Sequence, residues 1–115
     1  ASEAGEELCR RMGSRRRGGV TELAVRLERE RMDRESLSAM LERSRGAFAA
    51  ALLLCYGRQP GEIDREIAPF LAKNLTKVQI MSTIELLEKY HGQCNYNVSP
   101  GHVLGALAAE LEGIL

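Results

Sequence analysis

One long apolar segment sets the limits on how this chain can fold. From Asp33 to Tyr56, apolar residues recur with the i, i+3, i+4, i+7 spacing of a buried helical face. The second half of this segment, Ala47 to Cys55, carries no polar side chain, so a helix there has to be enclosed on all sides. It is too short for a bilayer, which needs about 20 apolar residues. We therefore predict a central helix around which five other helical segments pack.

The length and charge of the chain predict a single domain. At 115 residues, folding buries roughly 65% of the surface that the unfolded chain exposes, which is enough for one core without disulfides or metal. The 16 basic residues balance the 16 acidic ones, which argues against a general affinity for nucleic acid or membranes. Cys9, Cys55 and Cys94 have no paired spacing and no leader segment is present, so we expect a cytoplasmic protein.

Helix start and stop signals predict an all-α fold, a compact bundle of five to six helices around the long central one. Capping signals fall at Ser2, Asp33, Thr76 with Gln79, and Ser99 with Pro100, and Gly57 is a terminating glycine. Pro69 lacks an N–H and clashes with the preceding turn, so we predict a break or kink near Ala68. The residues predicted to face the core are Ala4, Leu8, Met12, Val20, Leu23, Ala24, Leu27, Ile80, Met81, Ile84, Leu87, Cys94, Val103, Leu104, Leu107, Leu111 and Leu115.

No grouping of residues indicates catalysis, a metal or a cofactor. His91, Cys94 and His102 are the one set that suggests a metal, but a structural zinc site needs four ligands. We interpret them as a half-buried histidine, a core cysteine and a helix residue. The acidic residues lie on outer helix faces beside arginines, where they are solvated ions. We predict no cofactor and no catalytic residue in this chain.

Two sets of residues are candidates for binding another molecule. Tyrosines are enriched at protein interfaces, and we name Tyr56, Arg58, Tyr90, Tyr96 and His102 as candidate interface residues, with the edge of the core as the alternative for each tyrosine. The cluster Arg15, Arg16 and Arg17, close to Arg10 and Arg11, could contact nucleic acid or an acidic partner. A solvated loop is the alternative for this cluster.

The last third of the chain resembles a known family. A Leu-Thr pair at Leu75 and Thr76 starts a long helix, which runs to the junction Asn97-Val98-Ser99-Pro100 and a Leu-rich last helix. This order resembles the C-terminal end of the delta-prime subunit of the bacterial DNA polymerase III clamp loader, where the junction reads Asn-x-Asn-Pro. Ser99 replaces the second Asn and keeps an N-cap. His102 and Gly105 stand where the family usually has Leu and Glu.

The resemblance implies that residues 1–115 are a collar domain, the oligomerisation domain of a longer AAA+-type subunit. Family collars pack into a ring that holds the pentameric loader together during DNA replication. The expected partners are the collar domains of the gamma/tau and delta subunits, with DNA reached only through the complex and no membrane contact. In the family, the ATP sites lie on other domains. Residues 1–115 therefore do not determine whether the parent complex is an enzyme.

Two alternatives to the delta-prime hypothesis stay open. The first is the collar of the related gamma/tau subunit, which belongs to the same class of protein. The second is a small helical regulator that binds nucleic acid through the cluster from Arg10 to Arg17.

Overall fold

The protein is an all-α bundle, as predicted. The computed structural model describes residues 2–13, 19–30, 33–96 and 98–115, and over these residues it contains six α-helices and no strand. The helices are α1 (Ser2–Gly13), α2 (Gly19–Arg29), α3 (Arg34–Cys55), α4 (Ile67–Asn74), α5 (Lys77–Gln93) and α6 (Pro100–Ile114), with a 3-10 turn at Glu62–Asp64 before α4. No helix in the described part of the chain is long and apolar enough to cross a bilayer.

The capping chemistry fixes where the three longest helices begin. The carboxylate of Asp33 accepts a hydrogen bond from the backbone N–H of Ser36 at 2.7 Å. Thr76 and Gln79 close both halves of a capping box, at 3.2 and 3.0 Å. The hydroxyl of Ser99 accepts from the backbone N–H three residues on, at 3.2 Å. These caps satisfy N–H groups that have no partner within a helix, and the predicted caps of α3, α5 and α6 are confirmed. The side chain of Ser2 lies outside the described part of the chain, so its cap stays a prediction.

The predicted break before Pro69 occurs earlier in the chain than expected. The turn lies at residues 65–66, and α4 runs from Ile67 to Asn74 with Pro69 as its third residue. The first-turn N–H groups of a helix have no acceptor within the helix, so proline is tolerated there. The predicted interruption near Ala68 is therefore confirmed, two to three residues earlier in the chain, and Ala68 itself is a buried helical residue.

The core is organised around α3, which packs against α1, α4 and α5. Helices α3 and α5 are antiparallel, since Ser38 near the start of α3 lies 3.1 Å from His91 near the end of α5. On the α1 side, the buried hydroxyl of Ser44 lies 2.7 Å from the carbonyl oxygen of Met40 and 3.3 Å from that of Gly5. A buried hydroxyl without such partners would be costly, so this contact also fixes how α1 sits on α3.

One salt-bridge network joins three elements. The Arg43 guanidinium lies 2.6 Å from the Asp64 carboxylate in the 3-10 turn and 3.4 Å from the Glu6 carboxylate in α1. The side chains of Arg43 and Asp64 are mostly buried. A charge-assisted hydrogen bond in such a place is stronger than one on an open surface, so Arg43 holds the loop before α4 against the central helix.

Helix α2 does not pack against the central helix, contrary to the prediction. It packs mainly against α6, with a smaller contact to α1. Thr21 donates a hydrogen bond to Glu112, and Glu28 lies against Gly101, so α2 and α6 are antiparallel. The predicted core face of α2 is buried as expected, but the Leu-rich α6 covers it. The prediction that all five other segments pack on α3 is therefore wrong for α2.

Most of the predicted core residues are buried, and Met81 is the main exception. The buried stripe of α5 consists of Ile80, Thr83, Leu87 and Tyr90. Met81 projects away from this stripe and is 46% exposed. Ala4, Ile84 and Leu115 are only partly buried, and the remaining predicted core residues are buried.

Candidate protein-interaction surface

The C-terminal end of α3 is the part of the apolar segment that the bundle does not enclose. Ala47 to Ala51 lie in or beside the core, but Leu53 is 40% exposed and Tyr56 is 63% exposed. The prediction that the whole run from Ala47 to Cys55 is enclosed is therefore wrong in its last turn. The reason is the helical position: Leu53 comes two residues after the buried Ala51, roughly 200° around a helix of about 3.6 residues per turn, so it faces away from the buried stripe of α3.

A glycine turn shapes this exposed end. Gly57 has φ of +76°, and its N–H donates to the carbonyl oxygen of Leu54 at 3.0 Å, while the N–H of Arg58 donates to that of Leu53 at 2.9 Å. These two bonds form a Schellman motif, in which the left-handed residue favours glycine. The residue that follows the glycine usually makes an apolar contact with the last helical turn. Here that residue is the cation Arg58, beside the exposed Leu53.

The beginning of α5 adds a second exposed apolar row beside the first. Val78 is 73% exposed and Met81 is 46% exposed, and helical residues three apart are neighbours on one face. The Nζ of Lys77 lies 4.6 Å from the ring centroid of Tyr56, a cation–π distance that joins the two helix ends. We call Leu53, Tyr56, Val78 and Met81 together the α3–α5 patch.

The α3–α5 patch has a positively charged border. Arg58, Lys73 and Lys77 are exposed, and no carboxylate within the described residues pairs with them. Lys73 lies at the same end of the bundle. Helix α4 begins just after Asp64, which contacts the middle of α3, and the chain then continues to Lys77, which lies over the Tyr56 ring. The surface therefore combines apolar side chains with an excess of positive charge.

The structure separates the predicted interface residues. Tyr56 and Arg58 belong to the α3–α5 patch and its border. Tyr96 and His102 are exposed, but they follow the opposite end of α5, a helix about 25 Å long. Tyr90 is only 5% exposed, so almost none of its surface is accessible to a partner. We therefore do not retain it as an interface candidate.

Tyr90 instead joins α5 to α6. Its hydroxyl donates a hydrogen bond to Glu110, and the Nζ of Lys89 lies 3.4 Å from the same carboxylate. Burial, assisted by the bond to Glu110, raises the pKa of Tyr90 to about 12. The bond from Tyr90 lowers the pKa of Glu110. The group is a structural tie between two helices.

Sequence reasoning missed three of the four side chains in the α3–α5 patch. The apolar pattern places Leu53 and Met81 in the core, and it makes no prediction for Val78. The signal that could have found Val78 and Met81 was their position off the stripe through Ile80 and Leu87. An apolar residue off the buried stripe of an amphipathic helix faces solvent or a partner.

Metal ligands, cysteine thiols and the arginine cluster are the remaining groups that could carry chemistry. No group of three or more His, Cys, Asp or Glu side chains in the described part of the chain lies close enough to hold a metal ion. Burial raises the pKa of the Cys9 thiol to about 12, which suppresses its reactive thiolate form. Arg15, Arg16 and Arg17 lie outside the described residues, so their contact with nucleic acid or an acidic partner stays a prediction.

A cleft of about 640 Å³ lies on another face, between α1, the 3-10 turn and α4. Ile67 and Phe70 provide its apolar floor, and its rim mixes Glu62 and Glu66 with Arg10 and Arg65. Glu62 and Arg65 form an exposed ion pair at 3.9 Å. Glu6 also lines the cleft. Because its lining carries charges of both signs, the cleft does not select a ligand of one charge.

Comparisons with known proteins do not assign the chain to a family. No model of a known protein family matches it, and neither a curated protein nor a solved structure does. The described residues form an all-α helical bundle, and the α3–α5 patch lies on its surface.

Proposed function

We propose that this chain is a protein-assembly module, and specifically the collar domain of a clamp-loader delta-prime subunit. In this role it packs against the collar domains of the gamma/tau and delta subunits and holds together the complex that loads the sliding clamp in DNA replication. Its own contribution is a rigid surface rather than chemistry. DNA is contacted by the complex and not through this domain.

The observation that carries the proposal is the α3–α5 patch. Leu53, Tyr56, Val78 and Met81 expose on the order of 400 Å² of mainly apolar surface in one place. The largest apolar patch on a typical monomer covers about 300–600 Å² and is often functional, which makes this patch the candidate interaction site. The family resemblance of the last two helices supplies the particular assembly, since it implies a domain whose partners are other helical collars.

A binding experiment with a purified gamma/tau collar tests the proposal. The two proteins are mixed at tens of micromolar and their masses are measured by light scattering after size-exclusion chromatography. We expect a complex whose mass equals the sum of the two domains or a multiple of that sum. An elution profile in which each protein keeps its own mass at this concentration would contradict the collar assignment.

Matched variants connect the complex to the α3–α5 patch. Met81→Asp places a charge in the patch, whereas Val25→Asp places the same charge on an exposed apolar residue of α2. Both positions are solvent-accessible, so both variants should fold and melt at similar temperatures. We expect Met81→Asp alone to abolish the complex. The reading frame upstream of Ala1 provides an independent check, because it should encode a AAA+ module, and a P-loop there would favour the gamma/tau subunit.

A further inference from the structure

We infer that the α3–α5 patch binds a partner helix that presents aliphatic side chains along one face and carboxylates at one end. The inference rests on the proposed role of the chain as an assembly module and adds the chemistry of the partner. It follows from the shape of the patch, its charge and the properties of the alternative occupants.

The shape of the patch suits a helix. Leu53 and Tyr56 form one short row at the end of α3, and Val78 and Met81 form another at the start of α5. The contact of Lys77 with the Tyr56 ring holds the two rows side by side. Two adjacent rows of side chains on antiparallel helices leave a groove between them, into which the side chains of a third helix can pack.

The charge of the patch selects an acidic partner. Three cations, Arg58, Lys73 and Lys77, lie at one end of it, and Glu85 continues the exposed face of α5 at the other. The next acid, Glu88, lies 3.9 Å from Arg45, so its charge is already balanced. The whole chain has a formal net charge of zero, which makes this local excess a property of the patch. Carboxylates on the partner would lie against the cationic end.

A second copy of the chain fits this surface poorly. Each copy would bring three cations and only one unpaired carboxylate, Glu85, so two patches facing each other repel. An acidic membrane also fits poorly, because electrostatic membrane binding usually uses about four to eight basic residues.

Two synthetic peptides test the inference directly. Both are amphipathic helices with the same leucine stripe, and one carries glutamates in a terminal turn where the other carries lysines. We expect the chain to bind the glutamate peptide at least about tenfold more tightly, measured by fluorescence anisotropy at low salt. The preference should shrink as the salt concentration rises, because ions screen exposed charges.

Variants of the patch identify the groups responsible. The double variant Arg58→Glu, Lys77→Glu should reverse the preference between the peptides, whereas Arg65→Glu, an exposed charge outside the patch, should leave it unchanged. Met81→Ser should weaken binding of the glutamate peptide by roughly tenfold or more. Val25→Ser is its matched control on α2 and should bind like the unmodified chain.

The outcomes separate this inference from the proposed function. If the gamma/tau collar binds the chain and the patch variants bind that collar equally well, the assembly role stands and the inference about the patch is wrong. If the collar does not bind but the glutamate peptide is preferred, the inference about the patch stands and the collar assignment fails.

Three results would overturn the inference itself. The first is binding of both peptides with equal affinity, or of neither. The second is a dimer of the chain in sedimentation that Met81→Ser abolishes, which would make a second copy the occupant. The third is tighter binding to vesicles of anionic phospholipid than to the glutamate peptide.

Discussion

Replacing Gly5 by alanine should destabilise the protein, although alanine is the better helix former. An added Cβ would lie 2.9 Å from Cγ of Arg43 and 3.2 Å from the carbonyl oxygen of Met40. Arg43 cannot easily move aside, because its guanidinium is held by Asp64 at 2.6 Å and by Glu6 at 3.4 Å. The carbonyl oxygen belongs to the backbone of α3. The substitution therefore forces α1 away from the central helix.

The magnitude follows from two opposing terms. Gly→Ala inside a helix gains about 1 kcal/mol of stability where the site is open, and overpacking costs about 1 to 3 kcal/mol. The net loss for Gly5→Ala should be about 1 kcal/mol. Gly46→Ala is the matched control, since no atom lies within 4 Å of its added Cβ, and it should gain about 1 kcal/mol. The two variants should thus differ by about 2 kcal/mol.

Urea denaturation followed by far-ultraviolet circular dichroism measures this difference. The slopes of the unfolding transitions should agree, so that the shift in midpoint reports stability alone. Stabilisation of Gly5→Ala to the same extent as Gly46→Ala would refute the close approach of α1 to α3. A double-mutant cycle adds a second check: an Arg43→Ala background removes the contact with Cγ but keeps the Cβ at 3.0 Å and the carbonyl oxygen of Met40, so the loss caused by Gly5→Ala should shrink without disappearing.

Three further predictions concern single helix contacts. Gly57→Ala should lower the free energy of unfolding by about 1 to 2 kcal/mol in urea denaturation, because φ of +76° is unfavourable for residues with a Cβ. The added Cβ contacts no other atom, so the backbone conformation alone causes the loss. An unchanged midpoint would contradict the left-handed turn. Thr76→Ala should cost about 1 kcal/mol through loss of the N-cap to Gln79, and Thr76→Ser should restore most of that stability. Tyr90 has a pKa raised from 10.0 to about 12 in the folded chain, so the folded state keeps a proton that the unfolded state releases above pH 10, and stability falls as the pH rises towards 12. Tyr90→Phe removes this dependence, and its stability relative to the unmodified chain should improve between pH 9 and pH 11; a constant difference over that range would contradict the shift.

Helix ends and helix content could be predicted because their causes are local. Asp33, Thr76 and Ser99 each cap a backbone N–H within three residues along the chain, so the neighbours in sequence already contain the interaction. Gly57 ends α3 for the same reason, since its left-handed conformation needs no distant partner. The apolar periodicity of α3 predicted that Phe48 and its neighbours are buried.

The candidate surface could not be predicted in the same way, because burial depends on which helices meet and how far each extends. Leu53 belongs to an apolar run that resembles a core segment, yet it lies on the side of α3 that faces away from the buried stripe and is exposed. Tyr90 could have been a surface anchor, but α6 supplies Glu110 and covers it.

The amino-acid sequence alone determined an all-α chain with a long apolar helix and defined helix boundaries, since these depend on side-chain pattern and on contacts within one turn. Only the tertiary structure decided that α2 packs on α6 rather than on α3, and that Tyr56 and Met81 lie exposed at one end of the bundle. An amphipathic helix has an apolar face whatever covers it. Which other helix of the chain covers that face depends on the lengths, crossing points and close approaches of all six helices together.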